Sequence, residues 1–138
     1  MRAIEPTTEQ LEKFASLDQD QPIVMLNLLK FKDQATYPEG SGHAPCTGLE
    51  AYVLYSAVAM KSIEKVGGKI LWSSTPEMKM ITGSDENWDM TAIVRYPSRK
   101  AFLEMTSALP EYQAALVHRE AGLAYQDLIQ CAEGFSGF

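Results

Sequence analysis

Ile23-Val24-Met25-Leu26-Asn27-Leu28-Leu29-Lys30-Phe31 is the stretch on which the fold turns. Pro22 precedes it, the run is too short for a good helix, and its branched residues suit a strand. An antiparallel strand with one wet face alternates apolar and polar residues, yet this one is apolar on both sides as far as Lys30. Both faces of the sheet it joins therefore need cover.

On its C-terminal side, residues 33–47 carry Tyr37, Pro38, Gly40, Ser41, Gly42 and Pro45, a turn-forming composition that predicts a long loop, and long ordered loops tend to be functional. Thr47 with Glu50 makes a capping box. After it Leu49, Tyr52, Val53, Ser56, Ala59, Met60, Ile63 and Val66 trace one face at helical spacing, up to Gly67 and Gly68. Lys69 to Thr75 and Met78 to Thr82 predict strand, separated by Pro76, which cannot donate a ladder hydrogen bond and so marks an edge or a bulge; Glu77 and Lys79 would guard that edge. After a turn at Asp85, Glu86 and Asn87, Trp88 to Tyr96 alternates as a hairpin partner does, and Pro97 stops it. Ser98 caps a helix carrying Ala101, Phe102 and Met105. Pro110 opens another carrying Tyr112, Ala115, Leu116 and Arg119, which ends at Gly122, and a last strand runs from Leu123 to about Ala132. On the N-terminal side, Thr7 with Gln10 caps a short amphipathic helix over about 7–18 that carries Leu11, Phe14 and Ala15.

The order predicts an α+β fold of the ferredoxin-like β-α-β-β-α-β kind, with both main helices on one face of a four-stranded antiparallel sheet. Residues 1–21 form a helical extension and 22–138 a single domain. The second face of the sheet keeps apolar residues that the N-terminal helix is too small to cover. A second copy of the same sheet is the simplest cover, which predicts a homodimer through sheet faces.

Composition narrows the function classes. The 138 residues are 46% hydrophobic and 22% charged, near an ordinary globular domain. Twelve basic against 18 acidic residues give a net charge of −6, which repels phosphate backbones and anionic lipids, so neither nucleic acid nor membrane is an expected partner. The longest uncharged apolar run, Ala51 to Met60, is about half a bilayer span, and no apolar signal segment follows Arg2 and Glu5; a cytoplasmic location is expected.

Taken together, the helix running from Tyr52 to Gly67-Gly68-Lys69, the strand opened by Trp88 and closed by Tyr96-Pro97-Ser98, and Pro110-Glu111-Tyr112 followed by Arg119 resemble a known family. It is the bacterial domain of unknown function thirteen-thirty, within the dimeric α/β-barrel superfamily. The likeness covers roughly 22–134. The chain departs from the family pattern in its N-terminal helix, in the 33–47 loop, and at Ser84 to Asn87, where a Glu-Gly pair is common. The resemblance implies protomers whose sheets face each other across a dimer and small-molecule pockets between helices and sheet, and it brings no established reaction. Relatives in the wider superfamily include cofactor-free monooxygenases, lactone isomerases, haem-degrading enzymes and proteins without known catalysis, an analogy at the level of fold.

Linear motifs point nowhere specific. Gly40-Ser41-Gly42-His43-Ala44-Pro45 has Pro45 where a dinucleotide fingerprint needs its third glycine. Gly68-Lys69 lacks the upstream glycine of a phosphate loop, and Asp85, Asn87 and Asp89 lack the central Gly and distal Glu of a calcium loop. His43 and Cys46 would supply two metal ligands in a chain with two histidines, too few to predict a metal site. No hydrolase motif is present.

The candidate site is a constellation. Asn27 sits on an apolar strand, where a buried amide must be satisfied by backbone or aimed at a ligand. Tyr52, Tyr55, Trp72 and Tyr112 would be core or the aromatic walls of a pocket. Arg119 falls on the inward side of its helix, where it needs a carboxylate, a ligand anion or a helix end; His118 lies about 100° round from it and has the chemistry of a general base. The expectation is a small cofactor-free oxygenase or isomerase that holds an apolar or aromatic acid with Asn27 and Arg119 at its polar end and His118 as proton acceptor. The alternative is a non-catalytic homodimer that binds a small molecule or protein. Haem binding ranks third, for want of an axial histidine.

Overall fold

The computed structural model describes residues 3–134 and 137. The elements run α1 (Thr8–Ser16), β1 (Ile23–Phe31), α2 (Gly48–Lys65), β2 (Lys69–Ser74), β3 (Met90–Tyr96), α3 (Arg99–Ala108), α4 (Pro110–Gly122) and β4 (Leu123–Cys131). Both expected capping boxes form. Thr7 Oγ1 accepts from Gln10 N at 3.1 Å and Thr47 Oγ1 from Glu50 N at 3.1 Å, while the Gln10 and Glu50 side chains accept from the cap N–H groups. Gly67, at φ +83°, lets the chain leave α2 through a left-handed turn.

The four strands form one sheet in the order β2-β3-β1-β4, every neighbouring pair antiparallel, which is the ferredoxin-like arrangement. The sheet is open; within one chain it does not close into a barrel. Alternate residues of β1, Ile23, Met25, Leu29 and Phe31, are buried against Tyr52, Tyr55 and Ile63 of α2 and Tyr112 and Ala115 of α4. At roughly 1.5–3 kcal/mol for each fully buried large apolar side chain, this layer is the main stabilising contact of the fold.

The other face is covered at one end, where Tyr125 of β4 is buried with its hydroxyl donating to Asn87 O at 2.9 Å and its ring 5.3 Å from Trp88, and is bare beyond it. Trp72, Ile93, Leu26 and Ile129 stand in register across β2, β3, β1 and β4, a row of large apolar side chains spanning the sheet. Trp72 and Ile129 are about half exposed. The N-terminal segment lies on the helical side instead, so it contributes nothing to covering this row. Gln126 N donates to Ala3 O at 2.9 Å, Phe14 meets the Phe102 edge at 5.5 Å, and the buried Arg99 donates to Asp18 O at 2.8 Å and Gln21 Oε1 at 3.1 Å.

One expected strand is corrected. Met78 to Thr82 form no strand, and the strand expected from Trp88 begins at Met90, leaving 75–89 irregular. Pro76 interrupts pairing, Ser84 N turns back onto Thr82 Oγ1 at 3.0 Å, and Met78, Met80 and Ile81 are 75–94% exposed, with no packed face to favour an extended register.

Candidate functional site

Asn27 lies on the helix-facing side of β1. Its Nδ2 donates to Met25 O at 3.3 Å, and its Oδ1 accepts from Gln126 Nε2 at 3.1 Å. Gln126 Oε1 in turn accepts from Arg119 Nη2, which also donates to Ile4 O. Asn27 and Arg119 thus belong to one polar chain joined by Gln126, a residue that sequence periodicity gives no reason to single out. Beside it stand three buried phenols. Tyr55 and Tyr112 share a hydroxyl contact of 2.6 Å, and the rings of Tyr52 and Tyr55 are 5.2 Å apart. Burial pushes Tyr52 up to about 12 against the pull of the Arg119 guanidinium, and raises Tyr55 well above the ordinary phenol range. No buried side-chain nitrogen or oxygen among the described residues lacks a partner. The arrangement is internally satisfied and anchors α4 to the sheet.

Trp72 stands apart from this group. A register shift between Ile70 and Trp72 sets it opposite Ile93, on the bare face, whereas Ile70 is opposite the buried Val94.

His118 faces a different assembly. The 33–47 loop is pinched at its neck by a bridge between Gln34 and Thr47 and by Ala35 N donating to Cys46 O at 2.9 Å. Thr36 N and Lys32 N fasten it to Ala121 O and Gly122 O at the end of α4, at 2.9 and 2.8 Å. Gly48 and Gly122 make this junction possible, because a Cβ on Gly122 would stand 2.5 Å from Gly48 O. At the loop tip Gly40 and Gly42 take φ +79° and +80°. The fold thereby brings Tyr37 Oη to 2.6 Å from His118 Nδ1. His43 stacks on Tyr37 with ring centroids 4.4 Å apart and meets the His118 ring at 5.0 Å, 76° inclined. Both histidines of the chain therefore converge on one tyrosine.

Burial, followed by the neighbouring His43, holds His118 below the usual imidazole range, so it is neutral near pH 7. Burial, followed by Cys46, raises the Tyr37 phenol. In the tautomer that carries its proton on Nε2, the neutral imidazole accepts from the Tyr37 phenol at Nδ1, an arrangement able to relay a proton. It stands beside an open cleft of about 530 Å³ between the loop and α2, within the range of small-molecule sites. Leu49, Val53, Leu54, Ala44 and Pro45 give the cleft an apolar wall, and Tyr37, His43, Cys46 and Glu50 contribute its polar groups. Among the described residues no three His, Cys, Asp or Glu side chains are placed to hold a metal ion. Among the described residues no helix is long and apolar enough to cross a membrane.

The family described as Domain of unknown function (DUF1330) matches residues 42–133, two-thirds of the chain. The chain belongs to this family. The DUF1330 match takes in His43, Cys46, His118 and the α2 wall of the cleft and begins after Tyr37. Solved relatives extend further. The RPA0582 protein of unknown function from Rhodopseudomonas palustris is 36% identical, with a TM-score of 0.88 over 98% of this chain and 99% of that one. A structure of the methylated RPA0582 protein gives 36% identity and 0.89 over 99% and 98%. The N-terminal segment and the 33–47 loop lie within these full-length alignments. No curated protein matches the chain.

The sequence alone marks Tyr37 only as part of a loop, offers His43 only as a nucleotide-loop or metal residue, and gives no signal for Gln126. The scarcity of histidine was the available signal: two in 138 residues, one of them in a long loop.

Proposed function

We propose that this DUF1330 protein binds a small, largely apolar or aromatic molecule in the cleft and moves a proton on it without a cofactor. The observation that carries the proposal is the 2.6 Å contact between Tyr37 Oη and His118 Nδ1 at the edge of that cleft. As a substrate C–H or O–H proton passes to Tyr37 Oη, the phenolic proton passes to His118 Nδ1, leaving an imidazolium beside a substrate anion. Returning a proton at another atom completes an isomerisation with no net redox change. With dioxygen as co-substrate the same anion is the entry to a cofactor-free oxygenation. General base catalysis of this kind contributes typically 10²–10⁴-fold.

In this proposal Asn27, Arg119, Tyr52, Tyr55 and Tyr112 act as a scaffold. Arg119 reaches Asn27 of β1 through Gln126 of β4 and so holds α4 to the sheet, the Tyr55–Tyr112 hydroxyl pair joins α4 to α2, and the Tyr52 ring packs on Tyr55; together they fix the position of His118. The non-catalytic alternative, a homodimer that binds without turnover, is favoured by the bare row of Trp72, Ile93, Leu26 and Ile129, which a second sheet would cover. Self-association through this face is compatible with both readings.

Native mass spectrometry of the protein, incubated with a panel of small aromatic ketones and phenols, tests binding and subunit number together. A dimer that carries one organic mass per subunit, lost in Val53→Arg, supports the cleft; a panel that never adds mass, or adds it equally to Val53→Arg, overturns it. A monomer in the parent, or a dimer that survives Ile93→Glu, overturns the sheet-face association. Solvent-deuterium exchange into the ligand separates turnover from binding alone.

A further inference from the structure

Resting on that proposal, we infer that the cleft selects a ligand that arrives uncharged, a phenol or an enolisable ketone, and turns away carboxylates. Four observations meet here. First, Glu50 is the one Asp, Glu, Lys or Arg side chain that lines the cleft, and its charge is negative. Second, the start of α2, which elsewhere would attract an anion, is already used: Thr47 Oγ1 takes the Glu50 N–H at 3.1 Å and the Glu50 carboxylate takes the Thr47 N–H at 3.0 Å. Third, the neighbouring guanidinium serves elsewhere. Arg119 follows His118 in the chain, but it points to Ile4 O and Gln126 Oε1, away from the loop. Fourth, the wall opposite the polar groups is built of Leu49, Val53 and Leu54, each 51–55% exposed, which offers apolar area and no donor for a carboxylate.

A carboxylate entering this cleft would lose hydration and meet the like charge of Glu50, with no Lys or Arg in the lining to pair with it. A neutral weak acid loses little on entry, and its proton is still in place when it meets the Tyr37–His118 pair. Charge is then created inside the site, where the imidazolium formed on His118 balances it. Selection against carboxylates thus serves the relay as well as binding.

Phenylacetone and phenylacetate differ in a methyl ketone against a carboxylate on the same skeleton and are suitable probes. Titrating each into isotope-labelled protein at pH 8, above the imidazole range, and following backbone amide shifts at His43, Cys46 and Val53 gives two dissociation constants. Phenylacetone is expected to bind at least about tenfold more tightly, and Glu50→Gln, which preserves the capping box, is expected to narrow that ratio about three- to tenfold. Equal or tighter binding of phenylacetate at these same amides, or a ratio that Glu50→Gln leaves unmoved, overturns the selectivity while leaving the cleft as the site. If neither probe shifts these amides, the selectivity falls and the proposed function falls with it.

Discussion

Replacing Gly48 by alanine probes the junction on which the candidate site depends. A Cβ at this position would stand 2.1 Å from Lys32 O, 2.7 Å from Lys32 N and 2.8 Å from Gly122 O. All three are backbone atoms, so no side chain can swing aside. Side-chain carbons essentially never come within 3.0 Å of such atoms, so α2 must retreat by about 0.9 Å or more. That retreat strains two hydrogen bonds, Gly48 N to Lys32 O at 3.1 Å and Lys32 N to Gly122 O at 2.8 Å. Losing both costs about 1 kcal/mol each, and overpacking adds about 1–3 kcal/mol, against a gain in helix propensity of at most about 1 kcal/mol. The net expectation is a loss of about 2–4 kcal/mol, which in a chain of this size lowers Tm by roughly 6–16 °C. Urea and thermal denaturation followed by circular dichroism measure it. Gly83→Ala is the matched control, because nothing lies within 4 Å of a Cβ there. If Gly48→Ala unfolds within about 0.5 kcal/mol of the parent, as expected for an ordinary surface substitution, the close packing argued for this junction is wrong.

Two further outcomes follow from the same geometry. His118 should titrate below the ordinary imidazole range, and His43→Ala, which removes both a covering ring and a neighbouring charge, should move it upward; an unmoved NMR titration would contradict the stacked arrangement. The sign for stability is set by the folded chain keeping His118 neutral to lower pH than the unfolded chain does, so this contribution is full above about pH 6.5 and is lost as pH falls through that range. For the buried phenol pair, Tyr55→Phe or Tyr112→Phe leaves one hydroxyl without its 2.6 Å partner, at a cost of about 1–3 kcal/mol. The double variant should cost less than the sum of the two, and strict additivity in a denaturant cycle would show that the hydroxyls do not interact.

Much of the fold is legible because local signals agree with the tertiary arrangement. The capping boxes at Thr7 and Thr47, the glycine exit from α2 and the doubly apolar β1 each have a direct structural counterpart. Met78 to Thr82 misled because alternating apolar residues mark a strand only where a sheet face receives them, and here those side chains point into solvent. Trp72 lies apart from the other candidate residues for a related reason: a bulge reverses side-chain parity, and bulges leave little trace in composition. The inward position expected for Arg119 follows from helical spacing, and its half-buried guanidinium shows it. Gln126 was invisible because its importance arises from pairing across the sheet with residues far away in sequence. The Tyr37–His118 contact joins residues 81 positions apart through an irregular loop, and no periodicity encodes such a meeting. Only the residue types, a phenol and a rare imidazole, were there to be read.

Whether Tyr37 and His118 act together on a bound molecule is tested most directly by solvent-deuterium incorporation. Small enolisable ketones are incubated with the protein in deuterated buffer at pH 7, where His118 is neutral, and label at the acidic carbon is read by proton NMR. The account predicts protein-dependent exchange that falls about 10²-fold or more in Tyr37→Phe and in His118→Gln, with both variants folded to the parent's circular dichroism spectrum. Exchange no faster than buffer across the panel, or undiminished exchange in both variants, would contradict it.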